Sequence, residues 1–327
     1  MNKPKSFRTE VNVEKVRPFI DYNTPVLSVG SCFAFELYKK IIRGGFKSLH
    51  PGGVIYNPIS LNTHLNNAVM GHTYNEKDIV SHDNIFFSWN HSGKNYHANS
   101  MDLLLQKINN ENIQIKEFIE NKPVIIVTFG TAIIYELSST GQIVANCHKQ
   151  NQSSFQKRML ELDEIVSSWT DLIQKVDANF IFTVSPVRHL KDGFVENNRS
   201  KSKLILAIHE IIENHSKKCF YFPSYEILMD ELRDYRFYSS DWIHPNEEAV
   251  NYIWDKFADT FFDQSTIEVL INVEKLRKAL DHKPIFDVNL LFYEKLKNDI
   301  QKIRQKTSLY NWEDELNQID EILAKKI

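Results

Sequence analysis

Val26-Leu27-Ser28-Val29-Gly30-Ser31-Cys32-Phe33-Ala34 is the stretch whose reading decides the fold. Its first half is apolar and β-branched, the pattern of a buried strand, and its second half opens a helix with Phe33, Leu37, Tyr38 and Ile41 on one face. Gly44-Gly45 ends that helix. Three further short apolar runs read as strands: Val124 to Phe129, Phe180 to Val184 and Cys219 to Phe222. Between them lie helical periods, first Met159, Leu162, Ile165, Val166, Trp169, Ile173 and Val176, then Leu204, Ile208, Ile211 and Ile212. Parallel neighbours need a helix-length connection, so the alternation predicts right-handed βαβ units and a three-layer α/β sandwich around a parallel sheet.

The chain has 327 residues, 42% hydrophobic and 25% charged, which excludes global disorder, collagen-like repeats and a disulfide-rich mini-protein. Lys plus Arg number 39 against 42 Asp plus Glu, a net charge of −3 that gives no general attraction to nucleic acid or anionic membrane. Cys32, Cys147 and Cys219 are odd in number and widely spaced, which suits neither a disulfide framework nor a zinc cluster. Residues 1 to 25 lack an apolar signal-peptide core, and the longest uncharged apolar stretch, Pro123 to Tyr135, falls well short of the roughly 20 residues that cross a bilayer. The expectation is a cytoplasmic protein with no membrane span and no nucleic-acid partner.

Residues 1–264 read as one α/β domain, with long loop insertions around 49–121 where Asn, His, Ser and Gly are frequent. Residues 265–327 read as a helical extension, broken near Pro284 and again around Thr307 to Asn311. Val269, Leu270, Val273, Leu276, Leu280, Leu290, Leu291 and Leu296 are too many apolar positions for a free tail, so these helices are expected to pack on the core or on a second subunit, making a homo-oligomer. The alternating charges of Glu294 to Lys306 read as a solvated face.

Ser31 falls at the carboxyl end of the first strand, near a helix N-terminus, where open sheets place ligands. Free N–H groups and the helix dipole stabilise an oxyanion there, so a nucleophile needs only a base. The plain alternative makes Ser31 an N-cap. Cys32 is an alternative nucleophile, or a small buried hydrophobe at the helix start. A dinucleotide or phosphate loop is set aside, because no G-x-x-G remainder and no Walker lysine follow Gly30.

The second signal is Tyr238-Ser-Ser-Asp-Trp-Ile-His-Pro-Asn-Glu-Glu248, a loop running into a helix that starts at Pro245 with acidic residues in its first turn. Asp241 and His244 sit just outside that start. A histidine takes the proton of a hydroxyl, and a carboxylate orients the ring and stabilises the imidazolium. The alternative assigns Asp241 to the turn and His244 to the backbone.

These residues resemble the SGNH, or GDSL-type, hydrolase superfamily, and more closely the GSCFA family, whose five letters match Gly30-Ser31-Cys32-Phe33-Ala34. The resemblance covers roughly residues 20 to 262. It implies a flavodoxin-like α/β/α fold, with Ser31 as nucleophile, His244 as base and Asp241 as its orienting acid in a D-x-x-H motif. The superfamily has Gly-Asp-Ser at the nucleophile and an asparagine oxyanion donor in G-x-N-D, whereas Gly130-Thr131-Ala132 carries no asparagine. Asn57 is the candidate replacement, with the Gly130 or Thr131 backbone as the other possibility and a plain turn asparagine as the alternative.

Arg188, His189 and Asn198, which follow the Phe180 to Val184 strand, are candidate substrate contacts for a carboxylate, phosphate or sugar hydroxyl, or simply partners of loop carboxylates. His209, Glu213 and His215 lack the H-E-x-x-H pattern, and no metal site is expected. The resulting expectation is a serine-dependent esterase or O-acyl transferase that needs no cofactor. Its substrate is expected to be a small-molecule, carbohydrate or lipid ester. The alternative is a non-catalytic carbohydrate- or glycolipid-binding protein.

Overall fold

The computed structural model describes residues 8–16, 19–281, 290–306 and 310–324. β1 (Val26–Gly30) leads into α1 (Cys32–Arg43) and the two-residue strand β2 (Ser48–Leu49). Then come α2 (Pro58–Val69), the short strands β3 (Ile79–His82), β4 (Ile85–Ser88) and β5 (His97–Ala98), and α3 (Met101–Glu120). β6 (Val124–Phe129) is followed by β7 (Ile133–Leu137), β8 (Phe155–Met159), α4 (Leu162–Lys175), β9 (Asn179–Val184), α5 (Gly193–Asn214) and β10 (Cys219–Tyr221). The helices α6 (Ser224–Glu226), α7 (Glu247–Phe261), α8 (Gln264–Asp281), α9 (Leu290–Lys306) and α10 (Glu313–Ala324) complete the order.

The central sheet runs β10-β9-β6-β1-β2, and all its pairs are parallel. Alternate strand residues face opposite sides. Leu27, Val29, Ile125, Val127, Phe180 and Phe182 join Leu61 and Leu65 of α2, Trp169 of α4 and Ile208 of α5 in one core. Val26, Val124, Ile126 and Ile181 join Phe33, Leu37 and Ile41 of α1 and Ile253, Phe257 and Phe261 of α7 in the other. Each such fully buried side chain contributes about 1.5–3 kcal/mol of transfer free energy, so both helical layers are held by their apolar stripes. The protein is thus α/β, with a parallel sheet between helices and further helices at the C-terminus.

The four strands read from sequence are present within a residue or so at their ends. The long loops expected around 49–121 are corrected: that stretch holds α2, a three-stranded antiparallel sheet and the 20-residue α3. Asn109, Asn110 and Asn112 lower the helix propensity of α3 and obscure its period. Tertiary contacts restore it. Leu104 and Ile108 pack with Tyr74 and Tyr96, and the buried Asn112 donates to the carbonyls of His72 (2.7 Å) and Asn67 (3.3 Å).

α8, α9 and α10 share a core of Val273, Leu276, Tyr293, Ile300, Trp312 and Ile319. It docks on the end of α1: Arg277 donates to the carbonyls of Ile42 (2.9 Å) and Arg43, and Leu270 enters the α1–α7 core. Gly45, at φ +87°, is where the chain passes under Tyr310, and a Cβ there would lie 2.1 Å from the ring. The helix break expected near Pro284 lies outside the described residues; of the one expected around Thr307 to Asn311, residues 307–309 also lie outside them, and Tyr310 and Asn311 sit between α9 and α10 in neither helix.

Candidate active site

β1, β6 and β9 end side by side, with Gly30 opposite Thr128 and Phe129 opposite Val184. Gly30 has φ +136°, and a Cβ on it would lie 2.2 Å from the Thr128 carbonyl oxygen, so only glycine lets the chain turn here. Ser31 follows as the N-cap of α1. Its amide donates to Thr128 O (3.1 Å) and its Oγ accepts the Phe33 amide (3.3 Å); the residue is 1% exposed. Cys32, the first helical residue, is partly exposed. Burial pushes its thiol pKa up, while the Lys201 ammonium and the N–H groups of Phe33 and Cys32 pull it down.

The loop before α7 turns on Trp242, at φ +60°, and closes with Ser239 N donating to His244 O at 2.8 Å. This folds Asp241 back under His244. Asp241 Oδ1 accepts the amides of Ile243 (2.9 Å) and His244 (3.0 Å), and Oδ2 lies 2.6 Å from His244 Nδ1. Those two amides and the ring hold the Asp241 carboxyl at about 2. An ionised carboxylate only accepts, so Nδ1 carries the hydrogen and the neutral ring keeps Nε2 free as a base. Arg188 props this loop from behind, donating to the Trp242 carbonyl with its guanidinium 4.4 Å from the Tyr238 ring centroid.

His244 and Cys32 line one cavity of about 440 Å³, walled by Phe33, Glu36 and Lys40 of α1, by Val187, and by Pro245 and Asn246 at the start of α7. Ser31 is not among its lining residues, and no hydrogen bond joins Ser31 to His244. Lys201 is 1% exposed, and its Nζ donates to Gly130 O and Ser185 O at 2.7 Å each. It ties the ends of β6 and β9 together. Burial presses its pKa down to about 7, and Cys32 acts the other way.

The GSCFA family matches residues 25–257, more than half of the chain, from the start of β1 into α7. The chain belongs to the GSCFA family. No curated protein matches it. The GSCFA segment contains the Gly30-Ser31-Cys32 turn, Lys201 and the Asp241–His244 pair, and stops short of α8 to α10.

Within the GSCFA segment the remaining candidates stand apart from this cavity. Asn57 is the N-cap of α2: its Oδ1 accepts Ser60 N (2.8 Å), and its Nδ2 donates to Ser60 Oγ (3.0 Å) and Val144 O (3.4 Å). The Gly130 and Thr131 amides both donate to Tyr56 O, at 2.8 and 3.1 Å. None of these three offers an unpaired donor. Arg188 is engaged by the Trp242 carbonyl, and the His189 amide donates to Asn197 Oδ1. His189 Nδ1 lies 3.6 Å from Asp192, and Asn198 faces a different groove, with Met159 and Leu162. Among the described residues no three His, Cys, Asp or Glu side chains are grouped as a metal site requires, and no helix is long and apolar enough to cross a membrane.

Lys201 and the loop-propping role of Arg188 were not expected from sequence. A signal for Lys201 exists: positions 201, 204, 208 and 211 form one helical stripe, and the last three are Leu, Ile and Ile. A lysine on an apolar stripe is a lysine with a buried task.

Proposed function

We propose that this GSCFA protein is an ester hydrolase or O-acyl transferase with an SGNH-type, flavodoxin-like architecture. In this reading a nucleophile from the Gly30-Ser31-Cys32 turn attacks an acyl carbonyl. His244 takes its proton and returns it to the leaving alkoxide, and Asp241 orients the ring. Sequence reasoning names Ser31 as that nucleophile. The observation that carries the proposal is the 2.6 Å Asp241–His244 contact at the wall of a cavity that begins where β1 meets α1. Developing negative charge on the carbonyl oxygen meets the N-terminus of α1. Exposed rings beside the loop, Trp242, Tyr235 and Phe194, suit the apolar face of a sugar or the acyl chain of a lipid, which supports a carbohydrate or glycolipid ester as substrate. A cytoplasmic location and a homo-oligomer built through α8 to α10 complete the reading.

One observation favours a second reading, a non-catalytic carbohydrate- or glycolipid-binding protein: Ser31 Oγ, Asn57 and the Gly130 and Thr131 amides are all engaged elsewhere. Hydrolysis of p-nitrophenyl acetate by wild type and His244→Ala separates the two. Catalysis through His244 gives a wild-type rate above buffer that falls about 10²–10⁴-fold in the variant. A rate indifferent to His244 selects the binding protein.

A further inference from the structure

We propose that Cys32, which lines the same cavity as His244, supplies the nucleophile of this site. The inference rests on the acyl-transfer reading above and changes which atom becomes acylated. Three observations separate the two neighbours in the turn. Ser31 is 1% exposed, its Oγ caps α1 by accepting the Phe33 amide, and it stays outside the cavity lining. Cys32 is partly exposed and lines the cavity from the first turn of the 12-residue α1; burial raises its pKa and outweighs the helix N–H groups and Lys201, so the thiol needs a base, and His244 lines the same cavity. Lys201 places a buried nitrogen in electrostatic range of that sulfur, on a fixed mount between two strand ends. The other two cysteines do not line the cavity with His244: Cys219 is buried in β10, and Cys147, partly exposed and within electrostatic range of Lys191, lies in the segment between β7 and β8.

The chemistry balances without an outside oxidant or cofactor. His244 Nε2 removes the thiol proton as the Cys32 sulfur bonds to the acyl carbon. The carbon–oxygen bond of the ester then breaks, and the proton passes from His244 to the departing alkoxide. Water or an acceptor hydroxyl next attacks the thioester carbonyl, gives its proton to His244, and the sulfur leaves to recover that proton as a thiol. A thioester donor enters the same cycle by exchanging one carbon–sulfur bond for another.

The test compares Ser31→Ala and Cys32→Ala in the full chain, each checked for folding by thermal melting, for kcat/KM on p-nitrophenyl acetate. Cys32→Ala is expected to lose at least about 10³-fold and Ser31→Ala to stay within about tenfold of wild type. In parallel, wild type is titrated with iodoacetamide and mapped by peptide mass. Cys32 is expected to react before Cys147 and Cys219, with activity lost in step and the rate reduced in His244→Ala. The reverse ordering of the alanine variants, or full activity after Cys32 is alkylated, overturns the inference while leaving acyl transfer through His244 intact. Unchanged activity in Ser31→Ala, Cys32→Ala and His244→Ala together overturns the acyl-transfer reading itself.

Discussion

Two regions of the molecule hold histidines in opposite conditions. His244 has a side chain 48% exposed, and its Nδ1 is held by an ionised carboxylate. His64 on α2 is 1% exposed, and neither of its ring nitrogens has a partner; its ring meets His91 edge-on at 5.1 Å. His91 is also fully buried, bonded through Nδ1 to Ser88 Oγ (2.9 Å), with Nε2 making no hydrogen bond and lying 3.9 Å from Glu111 Oε1. Burial drives the His64 pKa down to about 4, helped by His50, which burial likewise brings to about 4. The difference teaches what the residue name alone does not. A histidine with a carboxylate behind it and solvent in front can trade protons, whereas one sealed in the core is a neutral packing ring that resists the proton.

The comparison breaks first at His244. His244→Ala is expected to lower kcat/KM on an aryl ester by about 10²–10⁴ while leaving the melting temperature within a degree or two, since the side chain is half exposed. Asp241→Asn is expected to lose no more than that, because it disturbs the tautomer and not the base itself. An Asp241 loss clearly exceeding the His244 loss would mean that the carboxylate, and not the imidazole, handles the proton.

The buried cluster predicts the complementary result. The folded-state pKa values of His50 and His64 lie below the ordinary value of 6.5, so between about pH 6.5 and 4 the unfolded chain binds more protons than the folded one. Stability is therefore complete above pH 6.5 and falls as the pH drops toward 4, by on the order of 2–3 kcal/mol for each fully depressed ring. Melting curves from pH 7 to pH 4.5 should show this decline, and His64→Leu should remove the His64 share and make it shallower, while leaving ester hydrolysis near wild type at neutral pH. A variant that keeps the full acid decline would show that other groups cause it.

The smallest effect concerns Asn57. As the N-cap of α2 it contributes to helix stability, and Asn57→Ala is expected to cost about 1 kcal/mol with kcat/KM changed less than tenfold. A loss of 10² or more in the folded variant would return Asn57 to the role of oxyanion donor.

What was legible in the sequence follows from how local each signal is. The β1, β6 and β9 runs are buried on both faces, so their continuous apolar character survives any context, and β10, at the sheet edge, is short and only partly buried. Asp241 and His244 lie three residues apart in one loop, and a single turn brings them together. The remaining features depend on distant partners. Whether Asn57 caps α2 or faces a substrate turns on Ser60 and Val144, and whether Lys201 is solvated or buried turns on how α5 lies over the ends of β6 and β9. The difference between Ser31 and Cys32 is a single residue of register. Gly30 ends the strand and Ser31 caps the helix, and it is the next residue, Cys32, and not the cap, that lines the cavity.

The central claim is that the Gly30-Ser31-Cys32 turn becomes acylated with His244 as its base, and an acyl-enzyme trap tests it most directly. Wild type mixed with excess p-nitrophenyl acetate, quenched in acid within the first turnover and digested, is predicted to carry one acetyl group on the peptide containing this turn, on Cys32 and cleaved by neutral hydroxylamine. His244→Ala treated identically is predicted to carry almost none. An acetyl group found only outside the turn, or one that forms on the turn at the same rate without His244, would contradict the account.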